Sequence, residues 1–196
     1  GNLTVPDGLS LTVDPGVVVK FSSGSYGLNI EGTLNVNGTL TQPVTFTAAA
    51  PTQLVFTTPQ RTVAAGGCSA VLTVESRDGF GNTTTVGAAT PVTLAAAPAT
   101  GFAFFSNSTC TAAAGTPSIA AGASTVSFYV RSPLAGAVTV TASSPGFAPA
   151  SQSVTVTAGA PATLVFTTPS RSAVAGSCAQ VLTVELRDAF DNVATA

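Results

Sequence analysis

The sequence predicts an all-β chain in which tandem β-sandwich repeats follow a short β-helix-like segment. Three observations predict it. Residues 51–86 recur at 161–196 at a constant offset of 110 residues without a gap, and 21 of the 36 aligned positions are identical. A unit of that length is one small domain, and near-identical neighbours mean a tandem array. Apolar and polar residues alternate at period two between 53 and 157, with no stretch of helical period. The 19 glycines and 13 prolines fall mostly between these alternating runs, where turns belong.

Residues 1–50 form the first segment. Its apolar residues come in very short alternating sets: Leu11 and Val13; Val17, Val19 and Phe21; Leu28 and Ile30; Leu34 and Val36; Val44 and Phe46. Turn-forming groups separate them, at Asp14-Pro15-Gly16, Glu31-Gly32, Asn37-Gly38 and Gln42-Pro43. Strands this short, each followed by a turn, suit a coil that changes direction repeatedly. LTVDPG at 11–16 and LNVNGT at 34–39 lie 23 residues apart, near the length of one β-helix rung. A small antiparallel sheet is the alternative. Two rungs bury little by themselves and need a stacking partner.

Residues 51–160 read as one complete repeat. Strands are expected over 53–58, 69–77, 90–96, 101–106, 123–131, 136–142 and 151–157. Even-numbered positions carry the core: Leu54, Phe56, Leu72, Val74, Val92, Leu94, Phe102, Phe104, Val126, Phe128, Val130, Val138, Val140, Val154 and Val156. Odd neighbours such as Thr73, Glu75, Thr125, Ser127, Thr139, Thr155 and Thr157 face water. Seven strands in about 100 residues, each followed by a turn signal, predict an immunoglobulin-like β-sandwich, here without the Trp of antibody domains. Residues 161–196 are the first part of a second such repeat, so the sequence reads as a window on a longer chain. The links at Ala48–Pro51 and Thr157–Pro161 are short, small-residue runs ending in Pro, which favour an extended string of domains.

Cys68 and Cys110 fall in the complete repeat, and Cys178 repeats Cys68. Cys68–Cys110 is therefore expected as a disulfide, with the partner of Cys178 beyond the end of the sequence. The competing reading is three free thiols. A disulfide places the chain outside a reducing cytosol, secreted or at the cell surface.

VLTVESRDGFGN (71–82) and VLTVELRDAFDN (181–192) resemble the segment of bacterial invasin/intimin-type immunoglobulin-like repeats in which a strand ends in Asp, an aromatic or small residue, Gly and Asn. FFSNSTCT (104–111), followed by SIAAGASTVSFYVRSPLAGAVTVTAS (118–143), looks like repeat modules of very large secreted proteins of myxobacteria and related bacteria. The resemblance runs from residue 51 to the end. It implies a spacer, stalk or adhesin segment and names no ligand. Where that family often has Gly-Asn-Pro, this chain has Gly81-Asn82-Thr83 and Asp191-Asn192-Val193.

Composition narrows the chemistry. Six basic and eight acidic residues give a net charge of -2, so no basic patch exists to neutralise phosphates and nucleic acid is not an expected partner. No apolar run reaches the roughly 20 residues needed to span a bilayer. There is no His, the commonest general base, and the nearest carboxylate combination, Glu75 with Asp78, simply repeats as Glu185 with Asp188. The chain is read as non-enzymatic. Asp78, Asn82, Asp188, Asp191 and Asn192 are candidates for Ca²⁺ held at repeat junctions, the one cofactor considered. Such a site needs six or more oxygens, and each turn shows two or three side chains. The competing reading is that these residues hydrogen-bond their own backbone and shape the loop. Arg77 is expected to pair with its neighbour Asp78 at the surface. Expected partners are neighbouring repeats or copies of the same chain, with host or matrix glycans a further class. The leading function is a stalk or adhesin segment. The alternatives are a self-assembling filament, joined by strand addition or β-helix stacking, and a carbohydrate-binding module. The last lacks an aromatic platform, since Tyr26 and Tyr129 lie far apart in sequence.

Overall fold

The computed structural model describes residues 3–5, 7, 10–15, 18–20, 28–30, 33–37, 45–47 and 49–195. The described residues contain eighteen strands and no helix. The first six strands are β1 (Leu3–Val5), β2 (Ser10–Val13), β3 (Val18–Lys20), β4 (Leu28–Ile30), β5 (Thr33–Val36) and β6 (Thr45–Thr47). They pair in parallel, β1 with β4, β2 with β5 and β3 with β6. Leu11 stands opposite Leu34 and Val13 opposite Val36, the 23-residue rung spacing of the sequence. Parallel pairing of three successive strands with the next three describes two turns of one coil and excludes the antiparallel alternative. Val13 is buried and Val36 is exposed. Val17, Phe21, Tyr26 and Val44, and the turns at Glu31-Gly32 and Gln42-Pro43, lie outside the described residues.

The complete repeat contains β7 (Gln53–Phe56), β8 (Arg61–Ala64), β9 (Leu72–Arg77), β10 (Thr90–Pro91), β11 (Thr93–Ala97), β12 (Ala103–Phe105), β13 (Ser118–Ile119), β14 (Thr125–Arg131), β15 (Gly136–Ser143) and β16 (Ala150–Thr157). Two four-stranded sheets, ordered β11-β15-β16-β8 and β12-β14-β9-β7, face one another, and β10 and β13 form a short pair. Leu72, Val74, Val92, Phe128, Val130, Val140 and Val154 are fully buried between them, as the even-position pattern requires. Phe128 is central: its ring meets Phe56 at 6.3 Å and Phe104 at 5.9 Å between centroids, both edge to face.

The elements depart from the sequence reading in four places, the first being the unexpected β13, a two-residue strand made by its pairing with β10. β8 was not anticipated, because it is four residues long, buries only Val63, and exists through parallel pairing with β16, some 90 residues on. The expected strand over 90–96 is interrupted at Val92, whose N–H leaves the ladder to bond Pro117 O at 2.7 Å. The expected strand over 69–77 begins at Leu72, because Gly66–Ser69 cross between the sheets.

In the second repeat β17 (Thr163–Phe166) pairs with β18 (Val184–Arg187). Leu164 opposes Leu186 as Leu54 opposes Ser76, so the register repeats at the same offset as the sequence. β9 has β7 on one side and β14 on the other, whereas β18 is paired only with β17 among the described residues. Leu164 is consequently 70% exposed where Leu54 is 3% exposed.

Candidate functional site: the junction between repeats

The repeated strands β9 and β18 both run into an Asp-x-Phe-x-Asn loop, and the loop is built the same way twice. Asp78 Oδ1 accepts hydrogen bonds from the N–H groups of Phe80 and Asn82, both at 2.9 Å. Asp188 Oδ1 accepts from Phe190 N at 2.8 Å and Asn192 N at 2.9 Å. The second carboxylate oxygen takes the Asn side-chain amide, at 3.0 Å in the first loop and 2.8 Å in the second. It also takes a backbone N–H from the link preceding the repeat: Ala49 N at 3.2 Å for Asp78, and Gly159 N at 2.7 Å for Asp188. Each loop thus ties a repeat to the chain that enters it. The turn needs one residue with positive φ, supplied by Gly81 (φ 87°) and, at the equivalent position, by Asp191 (φ 70°). Asp tolerates the left-handed region better than most side chains, and here its carboxylate pairs with Arg187 at 2.9 Å.

Both aspartates are buried, Asp78 fully and Asp188 at 3% exposure. Burial opposes their ionisation, but the surrounding N–H donors outweigh it and hold both below the usual carboxylate range, Asp188 at about 2. Their oxygens therefore face hydrogen-bond donors. The Ca²⁺ candidates divide accordingly. Asp78 and Asn82 are bonded to each other, Asp188 is bonded to Asn192, and Asp191 turns outward to Arg187. Among the described residues no three His, Cys, Asp or Glu side chains are grouped to hold a metal ion. Arg77 pairs with Glu75 at 2.7 Å and not with Asp78 as expected. Residues two apart on a strand share a face, whereas Asp78 points the other way, into its own loop.

The second loop also docks on the first sandwich. Asn192 Oδ1 accepts Ala135 N at 2.8 Å, and Asn192 Nδ2 donates to Pro133 O at 2.8 Å. The ring of Phe190 lies over Gly66, where a Cβ would overlap its Cε2 and Cζ atoms. Phe190 closes one side of a groove of about 440 Å³ that is also lined by Gly66, Gly101, Ala103, Arg131 and Pro133. The receiving surface is itself braced. Gly66 N bonds Ser132 O at 2.8 Å, and Ser132 Oγ accepts Leu134 N at 3.1 Å. The Cys68–Cys110 disulfide forms as expected, across 42 residues, and begins two positions beyond Gly66. Cys178 is free and exposed. Gly176, the counterpart of Gly66, keeps the positive φ (83°) but has nothing within 4 Å of its missing Cβ.

Sequence reasoning named Asp78, Asn82, Asp188, Asp191 and Asn192 but did not reach Phe190, Gly66, Pro133 or Ala135. The recurrence of Phe80 as Phe190 and of Gly66 as Gly176 was the available signal.

No family model matches the chain, and no curated protein does. Among solved structures it is similar to domains 4 and 5 of the S-layer protein SbsC, with 21% identity and a TM-score of 0.40 over 58% of this chain and 55% of that one. Domains 5-6 of SbsC are similar at 22% identity and a TM-score of 0.38, over 78% of this chain and 66% of that one. A β-glycosidase from Bacteroides vulgatus is similar at 13% identity and a TM-score of 0.44, over 57% of this chain and 15% of that one. The chain spans about half the length (55%) of the first of these.

Proposed function

We propose that the protein is a structural, non-enzymatic repeat protein of the cell exterior, serving as a stalk or spacer segment that holds a distal part at a distance. One observation carries the reading: the same Asp-centred bond set closes each of the two repeats onto its incoming link, Asp78 to Ala49 and Asp188 to Gly159, each across 29 residues. A device that recurs at every junction serves the array, whereas a catalytic or ligand site is needed once. The disulfide fits an oxidising compartment. The immunoglobulin-like, invasin-type character of the repeats belongs to the same proposal, and an adhesin segment is its natural extension.

A second reading is self-assembly by strand addition. Strand addition of this kind joins the edge of a sheet in one chain to a strand of its neighbour. Electron micrographs of native material purified without reductant separate the two. Separate strings with a constant spacing between domains support the spacer. Ordered fibres of laterally joined subunits would replace it with the filament.

A further inference from the structure

The link between the repeats, Thr157-Ala158-Gly159-Ala160-Pro161, contains four small or flexible residues and would by composition let them swing. The contacts around it say otherwise. The loop Asp188–Asn192 bonds the link at Gly159 and the first sandwich at Pro133 and Ala135, residues 59 and 57 positions away in sequence. The three Asn192 contacts use both ends of one planar amide: Nδ2 reaches Pro133 O and Asp188 Oδ2, and Oδ1 receives Ala135 N. A planar group held at both ends fixes direction as well as distance. Phe190 fits only because Gly66 has no side chain, so the apolar half of the contact depends on a single residue type.

We propose that the Gly66–Ala135 end of one sandwich and the Asp-x-Phe-x-Asn loop of the repeat that follows are the two halves of one interface, and that this interface sets the angle between consecutive repeats. The interface is heterologous: socket at one end of a unit, loop at the other. Contacts of that kind propagate along an open line and do not close on themselves. The partner recognised by the socket is therefore another copy of the same loop. Each repeat carries the loop, as Asp78, Phe80 and Asn82 and again as Asp188, Phe190 and Asn192. The inference rests on the spacer reading for its use and on these contacts for its geometry. A swinging joint would overturn it while leaving a spacer in place.

Two measurements on the full chain test it. Amide hydrogen exchange followed by NMR reads the interface directly. Ala135 N–H, in an exposed turn, is expected to exchange at least ten-fold more slowly than other exposed turn amides, and Asn192→Ala is expected to abolish that protection. The amides of Val138, Val140 and Val154 report in the same spectrum that the sandwich stays folded. Spin labels on Thr163→Cys of β17 and Thr139→Cys of β15, both exposed strand positions, in a chain whose free Cys178 is replaced by Ser, read the angle. A single narrow distance is expected, broadening about two-fold in Asn192→Ala and in Phe190→Ala. An unprotected Ala135 amide, or a distance distribution equally broad before and after substitution, would overturn the proposal.

Discussion

At the scale of single residues, the buried aspartates decide most. Asp78 accepts three backbone N–H groups and one side-chain amide in a site with no access to water. Removing the carboxylate leaves those donors unpaired, and hydrogen bonds to a charged group are worth more than neutral ones. Asp78→Ala is expected to lower the stability of the sandwich by about 2–3 kcal/mol, measured by urea unfolding at neutral pH. The folded-state value lies below the ordinary 3.8. The stabilisation is therefore complete above about pH 4 and is lost as the pH falls through the depressed value. The gap between wild type and Asp78→Asn should be constant from pH 5 to 7 and shrink below pH 4. A gap that widens toward acid would contradict this account of the loop. The sequence showed Asp and Asn in the right places. It favoured backbone capping over Ca²⁺, because each turn shows two or three side-chain oxygens where the ion needs six or more, although carboxylate oxygens suit both. The structure shows the capping bonds: three backbone N–H groups, one of them 29 residues away, reach the Asp78 oxygens.

At the scale of elements, the strands that bury alternate residues on a long run were legible, and those made by their partners were not. β14, β15 and β16 carry seven or eight residues each and declare themselves by period two. β8 and β13 bury one apolar side chain apiece, Val63 and Ile119, and are strands only because β16 and β10 lie beside them. The disulfide was legible from the repeat, because Cys178 identified which cysteine of the pair recurs. Closing a 42-residue loop stabilises by about 4 kcal/mol through the entropy of the unfolded chain. Replacing both Cys68 and Cys110 by Ser is therefore expected to cost about 4 kcal/mol in calorimetry or denaturant titration. Because Cys68 sits beside Gly66, the same change should loosen the surface that receives Phe190.

At the scale of the molecule, the tandem organisation was visible in the sequence and the joint was not. Recurrence of a 36-residue segment at an offset of 110 residues says that units recur. It does not say how they touch, because the contact joins Asn192 to Pro133 and Ala135, which lie at different positions of the repeat. What emerges is one disulfide-stapled sandwich and the beginning of a second repeat, each tied to its incoming link by an Asp, with the second tied to the first by a Phe and an Asn. The proposed spacer role requires such a chain to bear tension. Stretching single molecules of the chain between its ends tests that claim most directly. The complete sandwich should rupture in one distinct event, and the length released should be about 150 Å shorter with the disulfide intact than after reduction, since 42 residues at roughly 3.5 Å each stay hidden. Extension without a distinct rupture, or the same released length in both redox states, would contradict the account of a disulfide-stapled spacer.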